Sequence, residues 1–467
     1  MRAPLDAWAM AESVREGGIS AVDLVEESLR RIKEYDGAVN AFTHLLEEQA
    51  REQARRADAR RAADLPLNGV PVSVKDHIWL AGVPATNGSK ALEHFVPDVD
   101  AACVARLKAA GAIVVGKTNN PEFCYRGYTD NTVFGLTRNP WRLDRTPGGS
   151  SGGAGASVAY GATPIALGTD GGGSIRIPAA FCGVVGHKPT FGLVPKMPGF
   201  RGWPSLSVDG PLTWTVRDAA LALWVMAGPS PEDDTTWLLV AGDLLDAVTR
   251  PLHWEDLTVA VSEDLGWAPV EPEVRTAFRR AVDTLVDDGM RVVEAHPDAA
   301  YPTELWNDIA LPEGFASEGP LLEEWGDQMT PGTREIVEAG RFATAADYLD
   351  ALERRRRYQS HWARFFTDVD VLLSPSMPLS AFDTDVQSPT EIDGVPVDPF
   401  FDDWCALALP ANLTGCPATS VPIGFDGDGL PLGMQIMGPR AGDATTLAVA
   451  AAYERLAPWH AGRPPSP

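Results

Sequence analysis

Two serines in this chain stand inside glycine-dense turns. One turn reads Thr146-Pro147-Gly148-Gly149-Ser150-Ser151-Gly152-Gly153, the other Gly168-Thr169-Asp170-Gly171-Gly172-Gly173-Ser174-Ile175-Arg176-Ile177-Pro178. Glycine permits positive φ and close backbone approach, so such turns can aim several N–H groups at one point. Aimed N–H groups beside a hydroxyl are the parts of an acyl-transfer site, a nucleophile with its oxyanion hole. No histidine in this block stands in a catalytic setting, so the base must come from elsewhere. The stretch Gly69-Val70-Pro71-Val72-Ser73-Val74-Lys75-Asp76 supplies one, an apolar, β-branched run that delivers Lys75 at the end of a short buried strand. Lysine serves as a base when desolvation lowers its pKa, which burial at the end of an interior strand does.

The elements around these residues are those needed to position them. Pro164 to Gly168 reads as a buried strand feeding Asp170 and the second turn, and Ala154 to Tyr160 as a tightly packed helix. A strand that ends in a nucleophile turn keeps the serine on a rigid element, with the backbone donors of Gly171, Gly172, Gly173 and Ser174 facing the developing oxyanion. Asp170 and Arg176 are read as an ion pair supporting the turn. Upstream, Ser20 with Asp23 forms a capping box for a helix whose apolar stripe is Leu24, Val25, Leu29 and Ile32. The stretch from Glu47 to Arg61 reads as a solvated helix. A helix over Asp100 to Ala110 precedes a strand from Ala112 to Gly116. Thr215 to Ala227 is a helix ended by Gly228-Pro229. Strand 257–261, helix 272–288 and strand 291–295 form an α/β piece, and a helix over Ala345 to Phe365 carries the run Arg354 to Arg357, read as a solvated or salt-bridged face. A strand over Val369 to Leu373 follows. The segment Phe382 to Asp403 is read as a surface loop and the final Gly-Arg-Pro-Pro-Ser-Pro as a loose tail.

The Gly-Gly-Ser-Ser-Gly-Gly run, the Gly-Thr-Asp-x-Gly-Gly-Ser-Ile-Arg-x-Pro run and the upstream Val-Lys-Asp resemble, in order and in kind, the amidase signature family. Weaker echoes lie at Gly111 to Asn119 and Asn412 to Ala418. The resemblance implies a single large α/β amidase-signature fold with a mixed, twisted sheet covered by helices on both faces. It implies a Ser–Ser–Lys triad, in which Ser174 matches the nucleophile, Ser150 the serine that follows a cis peptide and Lys75 the base. By the same resemblance the chain divides into an N-terminal helical part (1–63), a catalytic core (64–228), a variable part over the pocket (229–368) and a return to the core sheet (369–467). Asn119 to Tyr125 resembles a loop on the acyl side of the pocket. The expected substrate is a bulky or aryl amide, with carbamates and esters within reach of the same chemistry, and no metal or organic cofactor is implied. The chain is expected as a monomer or homodimer.

Composition sets the outer limits. The chain has 467 residues, of which 45% are hydrophobic, and a formal net charge of −25. That charge argues against nucleic-acid or anionic-membrane binding, both of which need a basic face. Five cysteines without paired metal-type spacing read as reduced, mostly buried thiols of a cytoplasmic protein. His77, Trp79 and Asn87 fall in a loop that could line a site, with a packing role the plainer reading for His77. Met197, Phe200 and Trp203 suit a pocket wall or a core cap, and Trp306, Leu311 and Phe315 are candidates from the variable part. Three rival readings remain. Gly148-x-Ser150-x-Gly152 fits the nucleophile elbow of α/β-hydrolases, but Arg145-Thr146-Pro147 is no strand, and His361 and His460 are poor partners. A phosphate-cradling loop lacks its lysine-bearing or dinucleotide pattern. The amidase subunit of a tRNA-dependent amidotransferase, which needs a partner, fits the family but not the segment Phe191 to Phe200, nor the absence of glutamine from Ser207-Val208-Asp209-Gly210.

Overall fold

Alternate residues of the central strands go to opposite sides of one sheet, the two-residue period expected of strands buried on both faces. The computed structural model describes residues 6–60, 65–236, 243–400, 402–460 and 462–467. Its strands are β1 (Phe42–Leu45), β2 (Pro71–Lys75), β3 (Ile113–Thr118), β4 (Ile165–Asp170), β5 (Val185–Lys188), β6 (Val208–Thr213), β7 (Val259–Val261), β8 (Val292–Glu294), β9 (Val371–Pro375), β10 (Glu391–Ile392), β11 (Val395–Pro396), β12 (Ala418–Phe425) and β13 (Pro431–Met437). Eleven of them form one sheet in the order β1-β3-β2-β4-β6-β5-β12-β13-β9-β7-β8, while β10 and β11 form a small hairpin. Pairing is mixed: β2 runs parallel to β3 and β4, whereas β4, β6, β5, β12 and β13 are successively antiparallel.

The two faces carry separate cores. Val72, Val74, Val114, Ile165 and Leu167 pack with helices Ala102–Ala109, Val216–Met226 and Pro272–Asp287. Ile113, Val115 and Ala166 pack on the other side with helices Ala21–Val39 and Gly152–Ala159. This is the expected mixed α/β fold with helices on both faces. The capping box is present, with Ser20 Oγ accepting from the Asp23 N–H at 3.0 Å. Among the described residues no helix is long and apolar enough to cross a membrane.

Three expectations need correction or limits. The tail is docked: Arg463 Nη1 donates to the carbonyls of Val158 and Ala159 at 2.9 Å, and its guanidinium lies 3.9 Å from the Trp214 ring centroid. These carbonyls end helix Gly152–Ala159, where a cation is favoured. The arginine run is not uniformly solvated. Arg354 pairs with Asp308 and Arg356 with Glu353, but Arg355 turns inward to the carbonyls of Leu413 at 2.7 Å and Ser205 at 3.0 Å. Helix Glu47–Arg60 ends the N-terminal stretch, and residues 61–64 lie outside the described ones.

Candidate active site

Lys75 closes β2, every residue of which is buried, and its own side chain is fully enclosed. The ammonium donates to Ser150 Oγ at 2.7 Å, Thr169 Oγ1 at 2.8 Å and Ser151 Oγ at 3.1 Å. None of these partners carries a charge. Burial lowers the lysine pKa, and the neighbouring Cys124 thiol, with the more distant Asp209 and Asp170, offsets that only in part. A lysine held by neutral hydroxyls in a dry site can give up its proton and accept one again.

Ser150 is placed by backbone that only glycine allows. A Cβ on Gly149 would lie 2.5 Å from the Tyr128 carbonyl oxygen. The Gly149–Ser150 peptide is cis. Ser174 follows β4 on the second turn and lines the same cavity as Ser150. Among the described residues its hydroxyl has no hydrogen-bond partner, so it is left for a molecule in the cavity. The turn is built on Asp170, whose carboxylate accepts from the N–H groups of Gly173 at 2.8 Å and Ile175 at 3.1 Å and from Arg176 at 2.8 and 3.0 Å. Arg176 and Asp170 are both wholly buried. The guanidinium reaches Gln435 Oε1 at 2.6 Å and Asn412 Oδ1 at 2.7 Å as well, so the turn is tied to β13 and to helix Leu409–Thr414. Burial alone would raise the Asp170 carboxyl; Arg176 overcomes it and holds the group far below the usual carboxylate range.

This arrangement corrects the expected oxyanion donors. The Gly173 N–H is already given to Asp170, because the residue turns at φ 118° to close the loop on that carboxylate. The N–H groups of Gly171, Gly172 and Ser174 have no partner among the described residues. Of the four expected donors, three are therefore uncommitted.

The cavity above the serines has aromatic walls. Trp79, Phe123, Tyr125, Phe200 and Trp203 line it, with His77, Cys124, Lys196 and Asp209 among the titratable groups. Trp203 stacks on Tyr125 with centroids 5.0 Å apart and meets Trp306 edge-on at 4.9 Å. Trp306 Nε1 donates to the Gly171 carbonyl at 2.9 Å, so helix Thr303–Glu318 is pinned directly to the nucleophile turn. Leu311 and Phe315 pack behind this wall with Phe123 and Tyr125. Lys196 is spent on the carbonyls of Pro204 at 2.7 Å and Ser207 at 3.3 Å. Burial lifts the Asp209 carboxyl to about 6.

Some site residues are not evident in the sequence. Thr169 and Ser151 hold Lys75, yet each reads as filler beside a more conspicuous neighbour. The signal for Thr169 is register: Val74 pairs with Leu167 across parallel strands, so Lys75 falls beside Gly168 and Thr169 is the next residue along. His77, expected as loop packing, lines the cavity, and Asn87 Oδ1 holds its Nδ1 at 3.0 Å. The α/β-hydrolase elbow fails on geometry. The residues preceding Ser150 form no strand, His361 lies on an exposed helix face, and His460 is taken by Glu454 at 3.0 Å.

Comparison with known proteins agrees on the family. The family model described as Amidase matches residues 23–447. A glutamyl-tRNA(Gln) amidotransferase subunit from Chloroflexus aurantiacus is 37% identical over 98% of this chain and 98% of its own length. A bacterial aryl acylamidase of the amidase signature enzymes superposes with a TM-score of 0.90 at 31% identity, covering 98% of this chain and 97% of its own. The same glutamyl-tRNA(Gln) amidotransferase subunit from Thermotoga maritima superposes with a TM-score of 0.79 at 33% identity, over 98% and 97%.

Proposed function

The chain belongs to the amidase signature family, whose reaction is hydrolysis of C–N bonds, and on that premise we propose that it acts alone on amides with a bulky, apolar or aryl half, through an acyl-enzyme on Ser174. The observation that carries this reading is Lys75, wholly buried, donating to three hydroxyls and to no carboxylate. Neutral Lys75 takes the proton of Ser150, Ser150 takes that of Ser174, and Ser174 attacks the carbonyl carbon. The N–H groups of Gly171, Gly172 and Ser174 receive the oxyanion, each such donor typically lowering the barrier by about 3 kcal/mol. The relay then runs backward to protonate the departing nitrogen, without which an amide would expel a very poor leaving group. Water enters and releases the acyl group from Ser174. Aromatic walls favour a flat, apolar substrate half through area burial and ring contacts. Carbamates with an aromatic amine half, and esters, present the same carbonyl to the same groups.

A second reading has its own support. Curated relatives include amidotransferase subunits, one of them 37% identical along nearly the whole chain. In that reading the same relay would release ammonia from an amide donor only when a partner subunit is present. The aromatic cavity supports the stand-alone reading, because the one lysine on its wall is committed to backbone carbonyls and is not offered to the carboxylate of an amino-acid amide. The test is turnover of a nitroanilide, an aryl carbamate, a primary aliphatic amide and glutamine by the isolated chain and by Ser174→Ala. Cleavage of the anilide or carbamate, lost in the variant, is expected. Silence on the panel by folded protein, with glutaminase activity appearing on addition of amidotransferase partner subunits, would overturn the stand-alone reading.

A further inference from the structure

The cavity holds a second nucleophile that hydrolysis through Ser174 leaves unused. Cys124 lines the cavity together with Ser150 and Ser174, and it alone of the five cysteines is not buried. Its backbone lies at φ 64°, directly after Phe123 at φ 51°, a sparsely populated pair for non-glycine residues. The turn is held by the Phe123 N–H on the Asn87 carbonyl at 2.8 Å and the Cys124 N–H on that of Pro121 at 2.9 Å. Cys124 Sγ reaches Asn87 Oδ1 at 3.5 Å, the same oxygen that meets His77 Nδ1. A carbonyl oxygen only accepts, so Nδ1 carries the imidazole proton and Nε2 is free to take another. The thiol also interacts with His77, Ser150 and Lys75. Burial would push it up, but the charges that Lys75 and His77 carry when protonated, with hydrogen bonds to His77 and Ser150, pull it down to about 7. A cysteine beside a histidine that is itself oriented by an amide oxygen is the arrangement that activates a thiol. Here it stands on the wall of the cavity that also holds Ser150 and Ser174.

We propose that Cys124 is a covalent modification site for small, uncharged, soft electrophiles, and that its adduct shuts off amide hydrolysis. With an α-haloamide the thiol proton passes to His77, sulfur attacks the halogen-bearing carbon, an S–C bond forms and halide departs. No oxidant or reductant is consumed. The thioether then fills the space beside Ser150 that a substrate acyl group needs. Selectivity follows from the remaining thiols: Cys103, Cys182, Cys405 and Cys416 are buried, and burial raises each of them.

The inactivation half of this proposal rests on the amidase reading; the modification half does not. The test treats the intact, folded protein with iodoacetamide near neutral pH and follows each cysteine by peptide mass alongside anilide turnover. Cys124 is expected to be alkylated about tenfold or more faster than any other cysteine, with turnover falling in step. Cys124→Ser, whatever its starting turnover, should keep that turnover through the same treatment, and His77→Gln should slow alkylation of Cys124 about tenfold. Alkylation of Cys124 no faster than of the buried cysteines overturns the site. Complete alkylation with turnover intact, or equal inactivation of Cys124→Ser, overturns the switch. A protein alkylated at Cys124 but inert on every amide overturns the proposed function and upholds the modification site.

Discussion

Two cations flank the nucleophile turn, both completely buried, and they are handled in opposite ways. On one side Arg176 meets the carboxylate of Asp170 and the amide oxygens of Gln435 and Asn412. On the other Lys75 donates to three hydroxyls and to no carboxylate. A buried guanidinium cannot shed its proton, so it requires a counter-charge. A buried amine without one sheds its proton instead, and so becomes a base. On the proposed mechanism the same enclosure makes Arg176 a strut and Lys75 a reagent. The teaching is that burial of a cation says little until its partners are named.

That contrast can be broken most severely at the reagent. Ser174→Ala and Lys75→Ala should each lower turnover of a nitroanilide by about 10³-fold or more while thermal melting stays near wild type. Substantial residual activity in either variant would remove the relay. At the strut the opposite pattern is expected. Arg176→Met strands a buried Asp170 carboxylate, and urea unfolding should report a loss of about 3–5 kcal/mol. A stable Arg176→Met protein with normal turnover would mean that the pair holds nothing in place.

The pH profile sharpens the distinction. Since catalysis needs neutral Lys75 and burial lowers its pKa, the rising limb should lie below the ordinary lysine range. In Thr169→Val one hydrogen bond to the charged form is lost, so the limb should move to still lower pH while turnover drops about tenfold. A flat wild-type profile, or a limb that moves upward in Thr169→Val, would contradict a lysine base. The smallest effect belongs to Arg463, a cation held only by neutral carbonyls and the Trp214 ring. Arg463→Ala should cost about 1 kcal/mol in urea unfolding, with turnover unchanged, because it anchors the tail and not the turn.

Much of the fold is legible in residue order because short-range rules decide it. The Ser20–Asp23 capping box, the helix Ala345–Phe365 and the strands ending at Lys75 and Asp170 each carry a local signal that the structure reproduces. Arg355 and the tail escaped because their partners lie far away in sequence. A run of four arginines looks the same whether one of them turns inward or not.

Residue types and spacing alone determined that this chain is built for acyl transfer. Two glycine turns with serines, and a lysine closing an apolar strand, are covalent facts that set which backbone can approach and which groups can react. They point to Lys75 as the base through the apolar run that it closes, but Lys117 and Lys188 also follow apolar residues and are equally buried. Only the tertiary structure separates them: Lys117 and Lys188 donate to backbone carbonyls, whereas Lys75 reaches the hydroxyls of Ser150, Ser151 and Thr169. Tertiary structure likewise spent the Gly173 N–H on Asp170 and brought Cys124, His77 and Asn87 to one wall. The physical reason is common to all of these: a hydrogen-bond partner or a neighbouring charge is a property of position in space, and residues tens or hundreds of positions apart share it only after the chain has folded.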